Sequence, residues 1–403
     1  MPHFFAQNFS DQNPPDQNLF DPNLSWQAFP FEADGYDFLF EAKSLKNPKE
    51  SLIGVRYGDM LFFIRKIQRE NEILFKGEKN TKPHPIGILK GALRVLAKKT
   101  HLLSHNLNND SMRQVVRSRF LLKPSEIPAR KLEGFCIEIG FGSGRHLLRM
   151  AQKNPDKTFI GVEIHTPSIE QVLRQIELLG IENIVIACVD ARVLLEILPS
   201  NQCEAIYVHF PVPWNKKPHR RVISARLLSE ALRVLKQNKA IELRTDDAVY
   251  FKDSFHIVME MKNAKLEIAK NLSGEVVSKY EARWQRQHKD IFDLRIFSLN
   301  EDEAKKIEYD FKIDFVIFKH PEAFKNIPKI VREDYFLHIC DVFVCDALVI
   351  FSVSFGDFNW AINKMIVFDK ENQTASYVGD IPLATPANIK AHQELLTLLA
   401  EER

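Results

Sequence analysis

Phe135-Cys136-Ile137-Glu138-Ile139-Gly140-Phe141-Gly142-Ser143-Gly144-Arg145-His146-Leu147-Leu148 is the stretch on which the reading of this chain turns. Apolar residues run up to Ile139 and mark a buried strand. Three glycines follow at alternate positions, and Arg145 to Lys153 then has a helical pattern. Strand, Gly-rich turn and helix N-terminus make a cradle for a nucleotide-type ligand: glycine admits a ligand close to the backbone, and free N–H groups face it. A dinucleotide site needs G-x-G-x-x-G, whose third glycine would stand where the chain has Arg145. The pattern present is E-x-G-x-G-x-G, built on Gly140, Gly142 and Gly144, with the Glu138 carboxylate at the strand end. An anion there suits a ligand with positive charge and no phosphate. S-adenosylmethionine (SAM), with an ammonium, a carboxylate and a sulfonium, is such a ligand. An ordinary glycine turn fits the same residues, and the segments that follow weigh against it.

Around this stretch the chain has 403 residues, enough for two or three domains, and 45% hydrophobic residues supply a sizeable core. Net charge is only +2 but is unevenly placed. No Lys or Arg precedes Lys43, whereas eleven Lys or Arg lie from Lys82 to Lys131 against Asp110 and Glu126. That asymmetry points to a polyanionic partner for one surface, or to a solvated helix face. The five cysteines, at 136, 188, 203, 340 and 345, are scattered in apolar runs and read as reduced core thiols of a cytoplasmic protein. Cys340 and Cys345 are not spaced as a zinc pair, and no metal is expected. No signal peptide or membrane span is expected either.

Residues 1–35, rich in Asn, Gln, Asp and Pro, read as a flexible arm. Residues 36–110 read as a β-rich extension with short strands from Tyr36 to Phe75 and an amphipathic basic helix over 86–99. The core is expected over 111–300. Its second strand ends at Glu163, 25 residues after Glu138, where doubly wound sheets place an acid on ribose hydroxyls. Charge-assisted bonds of that kind contribute about 1.5–3 kcal/mol each. Thr166 and Pro167 open the next helix and Gly180 closes it. The third strand ends at Asp190, near the adenine of a SAM site. A fourth strand leads into Phe210-Pro211-Val212-Pro213-Trp214-Asn215-Lys216-Lys217-Pro218-His219-Arg220-Arg221. Two prolines and a tryptophan stiffen this loop, and its cations, Lys216, Lys217, Arg220 and Arg221, are expected to hold phosphates. Ser224 caps a helix to Gln237, and Asp246 ends the strand after it. Residues 301–403 read as a separate β-rich extension, with Phe311 to Phe318 as its first strand candidate.

Taken in order, Glu138 to Leu148, Phe159 to His165, Phe210 to Arg221, Thr245-Asp246 and Ser278 to Glu281 resemble the pattern of bacterial tRNA (guanine-N7-)-methyltransferases. The resemblance spans roughly 111–297, and the Phe210–Arg221 run is its specific part. It implies an α/β fold: a Rossmann-like, doubly wound class I SAM-methyltransferase core, here with β-rich N- and C-terminal additions. It implies transfer of methyl from SAM to N7 of a guanine in the tRNA variable loop. Carried over, Glu138, Glu163 and Asp190 bind SAM, while Lys216, Asp246, Ser278 and Glu281 contact the tRNA or its guanine. Three departures stand out. Val212 replaces the family's usual Asp between the two prolines, Ser278 replaces its Thr, and the long front and back segments are additions. N7 of guanine has a free lone pair and needs no general base, so an active enzyme with Asp246 as the catalytic acid is expected despite Val212. A SAM-dependent methyltransferase of another substrate, or a catalytically impaired tRNA-binding subunit, are the alternatives.

Overall fold

The computed structural model describes residues 1–8, 29–108, 118–130, 132, 134–272, 290–305, 308–315 and 320–401. The chain forms two compact units. One comprises Val116–Glu308 and Leu383–Thr385, the other Met1–Val115, Tyr309–Pro382 and Pro386–Arg403.

The first unit is built on an eight-stranded sheet. Its order is Lys265–Lys270, Phe292–Phe297, Leu235–Thr245, Cys203–His209, Phe135–Ile139, Phe159–Glu163, Ile184–Cys188, Leu121–Leu122. Pairing is parallel from Leu121–Leu122 through Leu235–Thr245, and Phe292–Phe297 runs antiparallel to both of its neighbours. Phe135–Ile139 is buried at all five positions. Ile137 and Ile139 join a core with Leu227, Ala231 and Tyr250, while Cys136 joins Leu147, Val172 and Ile176 on the other face. A strand covered on both faces shows no polar alternation, which is why it reads as a continuous apolar run. From it the chain builds outward to one side through Phe159–Glu163 and Ile184–Cys188, then returns to the other through Cys203–His209. The carboxyl end of Phe135–Ile139 is therefore the switch point of the sheet, where doubly wound folds bind ligands.

Two boundaries differ from the sequence reading. The helix after Phe159–Glu163 begins at Thr166 with His165, not Thr166, as its N-cap. The helix capped by Ser224 ends at Val234, not Gln237, and the strand Leu235–Thr245 begins at once. Lys236 and Lys239 close on Glu204 at 2.6 and 2.7 Å, tying that stretch to the neighbouring strand.

The second unit holds a twelve-stranded sheet that runs from Thr374–Tyr377 through Phe336–Val344, Tyr36–Ser44 and Met60–Gln68 to Leu102–His105. Residues before the methyltransferase-like core and residues after it thus share one sheet, joined where Phe343 pairs with Ser44 and Val344 with Lys43. Ala42, Leu52 and Phe63 pack in one cluster with Phe343, Ile350 and Met365. The arm expected over 1–35 is corrected at its start: His3–Gln7 is a strand, and Phe4 is fully buried, stacked on Phe75 at 4.6 Å. Residues 9–28 lie outside the described residues. The strand expected from Phe311 is absent over 311–315, and 316–319 lie outside the described residues. The helix Ile86–Lys98 buries its apolar face, as its periodicity predicts. Lys98 pairs with Asp34 and Arg94 donates to the Leu107 carbonyl, so part of its basic face is engaged internally. Among the described residues no helix is long and apolar enough to cross a membrane.

In the first unit, Glu138, Tyr207, Glu242 and Arg295 occupy one cross-strand row. Glu242 takes a hydrogen bond from His209 Nε2 at 3.0 Å and another from Arg295 at 2.7 Å. Burial pushes the Glu242 carboxyl up, but the bonds and charges of His209 and Arg295 outweigh it and hold it at about 2, against an ordinary 4.5. A carboxyl depressed on folding stabilises above its unfolded pKa, and that stabilisation is lost as pH falls through the folded value. Between about pH 4.5 and pH 2, the melting temperature of Glu242→Gln is therefore expected to fall less steeply than that of the wild type in scanning calorimetry.

Candidate active site

At the switch point the backbone turns through Gly140, Gly142 and Gly144 at φ of 69°, 51° and 70°. These are left-handed values that side chains with a Cβ rarely adopt. A Cβ on Gly140 would meet nothing within 4 Å, and one on Gly142 only the Gly140 carbonyl at 4.0 Å. A Cβ on Gly144 would stand 2.5 Å from Val172 Cγ2. The first two glycines leave room for a ligand, and the third lets two helices close. Gly144 is also the N-cap of the helix Arg145–Lys153, so the amide end of that helix opens on the same space.

The acids expected around this space are placed differently from one another. Glu138 is 4% exposed at the base of the loop, and its Oε2 is 2.8 Å from His146 Nδ1. Glu163 accepts backbone hydrogen bonds from Gly142 at 3.1 Å, Ile164 at 2.8 Å and His165 at 3.0 Å. It therefore ties the glycine loop to the end of the next strand. Asp190 caps the helix Ala191–Ile197 through the Arg192 amide, and both its oxygens take the Arg192 guanidinium at 3.0 Å. Asp246 is half-buried just beyond the end of Leu235–Thr245. An open glycine gap, a helix N-terminus and an anion at the strand end fit a SAM-type ligand, whose carboxylate and ammonium need both signs of charge.

The loop after Cys203–His209 is held in an unusual backbone. Phe210 and Trp214 have φ of 48° and 47°, a strain of about 1–3 kcal/mol each for non-glycine residues. Arg221 holds it in place. Its Nε donates to the Pro213 carbonyl at 2.7 Å and its Nη2 to Asn215 Oδ1 at 2.8 Å. Its Nη1 lies 2.9 Å from Asp253, and the guanidinium sits over the Tyr250 ring at 5.2 Å. Asn215 in turn donates to Asp247, which caps the helix Ala248–Met259. Arg221 is 4% exposed, so the expectation that it holds phosphates is corrected: it is an internal clamp. Lys216, Lys217, His219 and Arg220 are exposed, and Arg220 lies over the Trp214 ring at 5.2 Å. Val212 is 61% exposed. Ser278 and Glu281 lie outside the described residues. Among the described residues no group of His, Cys, Asp and Glu is placed to hold a metal.

Sequence reasoning passed over His146, Glu242 and the Arg221–Asp253 pair. The position of His146, in the first helical turn after the glycines, was a usable signal. Nothing in the sequence separates Arg221 from Arg220.

A family model described as a putative methyltransferase matches residues 133–294. The chain is 43% identical over 412 residues to the tRNA (guanine-N(7)-)-methyltransferase of Helicobacter hepaticus, covering 100% of both proteins. It is 41% identical over 409 residues to that of Helicobacter pylori strain 26695, covering 100% of this chain and 99% of the relative. For that of Wolinella succinogenes the identity is 40% over 406 residues, covering 98% and 99%. The match extends through the front and back segments, so these are shared with the relatives rather than peculiar to this chain.

Three outcomes follow for variants of the loops. Gly144→Ala should melt well below the wild type, by about 2 kcal/mol or more, because it adds a contact at 2.5 Å to a left-handed backbone. Gly140→Ala meets open space, so thermal melts should show a smaller loss while SAM titration shows weaker binding. Arg221→Lys keeps the charge but not the planar fork. It should cost roughly 2–4 kcal/mol of stability in chemical denaturation, since Asp253 and two acceptors lose a buried partner.

Proposed function

The chain belongs to the tRNA (guanine-N(7)-)-methyltransferase family, and from that premise we propose how its residues carry out the reaction. It is a SAM-dependent enzyme that methylates N7 of a guanine in tRNA. Bound in the glycine cradle, SAM supplies the methyl group as an electrophilic sulfonium substituent. The observation that carries the assignment of the cradle is the open space above Gly140 and Gly142, beside buried Glu138 at the switch point.

Glu138 would hold the ammonium of the cofactor, and the N-terminus of Arg145–Lys153 would take its carboxylate. Glu163 is bonded to the Gly142 amide, so it shapes the loop as well as lying where ribose hydroxyls are expected. Asp190 lines the adenine end. Because Arg192 already neutralises it, its contribution is geometric more than electrostatic. The guanine presents N7 as an unprotonated lone pair, so no side chain has to remove a proton. Alignment of the two reactants can supply up to ~7–11 kcal/mol in favourable cases. Asp246 accepts from the guanine N1–H and amino group and turns N7 toward the reacting methyl. Lys216, on the exposed edge of the clamped loop, takes a tRNA phosphate, and the resemblance assigns Ser278 and Glu281 to the tRNA or its guanine. The variable loop is the site of modification.

Val212 does not disable this scheme. Its place in the loop is exposed, and Arg221 fixes the loop without a carboxylate at 212. Asp246 is the carboxylate that would meet the positive charge developing on the purine.

The test is direct. Purified protein incubated with SAM and unmodified tRNA should give N7-methylguanine, mapped by cleavage at the modified base. Asp246→Ala should lower kcat/KM for tRNA by roughly 100-fold, the scale of a charge-assisted pair of hydrogen bonds. Full methylation by that variant rejects the role given to Asp246.

A further inference from the structure

A chain of polar side chains crosses the sheet face beside the glycine cradle, and the mechanism above leaves most of it unused. Glu138 Oε2 lies 2.8 Å from His146 Nδ1, with both side chains largely buried, at 6% and 13% exposure. The His146 ring stands edge-on to Tyr207 at 4.8 Å and to His209 at 4.5 Å, with interplanar angles of 66° and 64°. His209 is anchored on its far side by Glu242 at 3.0 Å, and Glu242 by Arg295 at 2.7 Å. Tyr207 is the register partner of Glu138 on one side and of Glu242 on the other. The imidazole of His146 is therefore boxed by two rings from one strand while its Nδ1 meets the acid at the end of the next.

We propose that His146 is a positioning residue for the cofactor, holding Glu138 by one oxygen so that the other faces the glycine gap. With the carboxylate as acceptor, Nδ1–H is the donor. A glutamate has three side-chain torsions, and a carboxylate that must meet an ammonium at one point gains from having them fixed beforehand. His209, backed by Glu242 and Arg295, sets the plane of the His146 ring. The two histidines have no part in the transfer itself. Their effect lies in binding: it reaches cofactor affinity through Glu138 and leaves the rate at saturation alone. The inference rests on the reading of Glu138 as the cofactor's ammonium partner.

The experiment uses the full-length enzyme, with SAM and S-adenosylhomocysteine titrated by calorimetry and methylation kinetics measured at saturating tRNA. His146→Phe keeps the ring contacts and removes the donor. It is expected to raise Kd and KM for the cofactor roughly tenfold while kcat stays within about twofold, the scale of one charge-assisted hydrogen bond. His146→Asn, whose amide nitrogen sits on Cγ as Nδ1 does, should recover most of the affinity. S-adenosylhomocysteine carries the same ammonium and should weaken in parallel. Glu138→Gln separates the two ideas. If it weakens the cofactor tenfold or more and His146→Phe does not, the positioning role is wrong and the cofactor site stands. If Glu138→Gln has no effect, the ammonium role of Glu138 fails and the inference falls with it. Should His146→Phe not fold, His146→Leu, which also lacks a donor, carries the same expectation, and unchanged affinity there overturns the proposal.

Discussion

A strand that is hydrogen-bonded along both edges and covered on both faces can receive a ligand only at its end. Phe135–Ile139 is such a strand, with Phe159–Glu163 on one side and Cys203–His209 on the other. The features of the candidate site answer to that restriction. The backbone leaves the strand through left-handed glycines because any ordinary residue would fill the one open place. Glu138 is the last polar side chain before it, Glu163 closes the next strand against it, and the Trp214 loop departs from the neighbouring strand at the same level. A sheet whose order did not reverse here would bring the following helix across the gap.

The legible part of this site was the part written in local chemistry. The glycine spacing, the apolar run before it and the acids ending successive strands each report a backbone requirement within a few residues, so the fold and the cradle could be read directly. The roles of Asp190 and Arg221 could not. Asp190 sits at a strand end like Glu163, yet one caps a helix and holds Arg192 while the other binds three backbone amides. Arg220 and Arg221 are adjacent and identical, yet one is exposed beside Trp214 and the other is enclosed by Pro213, Asn215, Asp253 and Tyr250. That difference depends in part on Tyr250 and Asp253, 29 and 32 positions downstream, which no local pattern contains. The helix end read at Gln237 failed similarly, since Glu204 on another strand decides where Lys236 and Lys239 go.

The segments outside the core were the least legible for a topological reason. Residues 36–110 and 301–403 each look like a short run of strands; that the two pack as one discontinuous domain is a reading composition allows, but which strands pair is invisible until Phe343 meets Ser44. Their shared cluster of Ala42, Leu52, Phe63, Phe343 and Ile350 has apolar side chains from both pieces, so neither buries its own surface alone. Full-length similarity to the relatives fits this: the two pieces are one structural element with the core inserted between them.

That insertion has a consequence during synthesis. Lys43 is made 301 residues before its partner Val344, a delay of roughly 15 to 60 s at ordinary elongation rates. Throughout that interval the strand Tyr36–Ser44 has an open edge, and Phe63 and Leu52 lack the apolar neighbours that later cover them. The inserted core can complete its own sheet meanwhile, because all its strands lie between Leu121 and Phe297. Assembly on the ribosome thus runs from the inside out: the segment that emerges first is among the last to be finished.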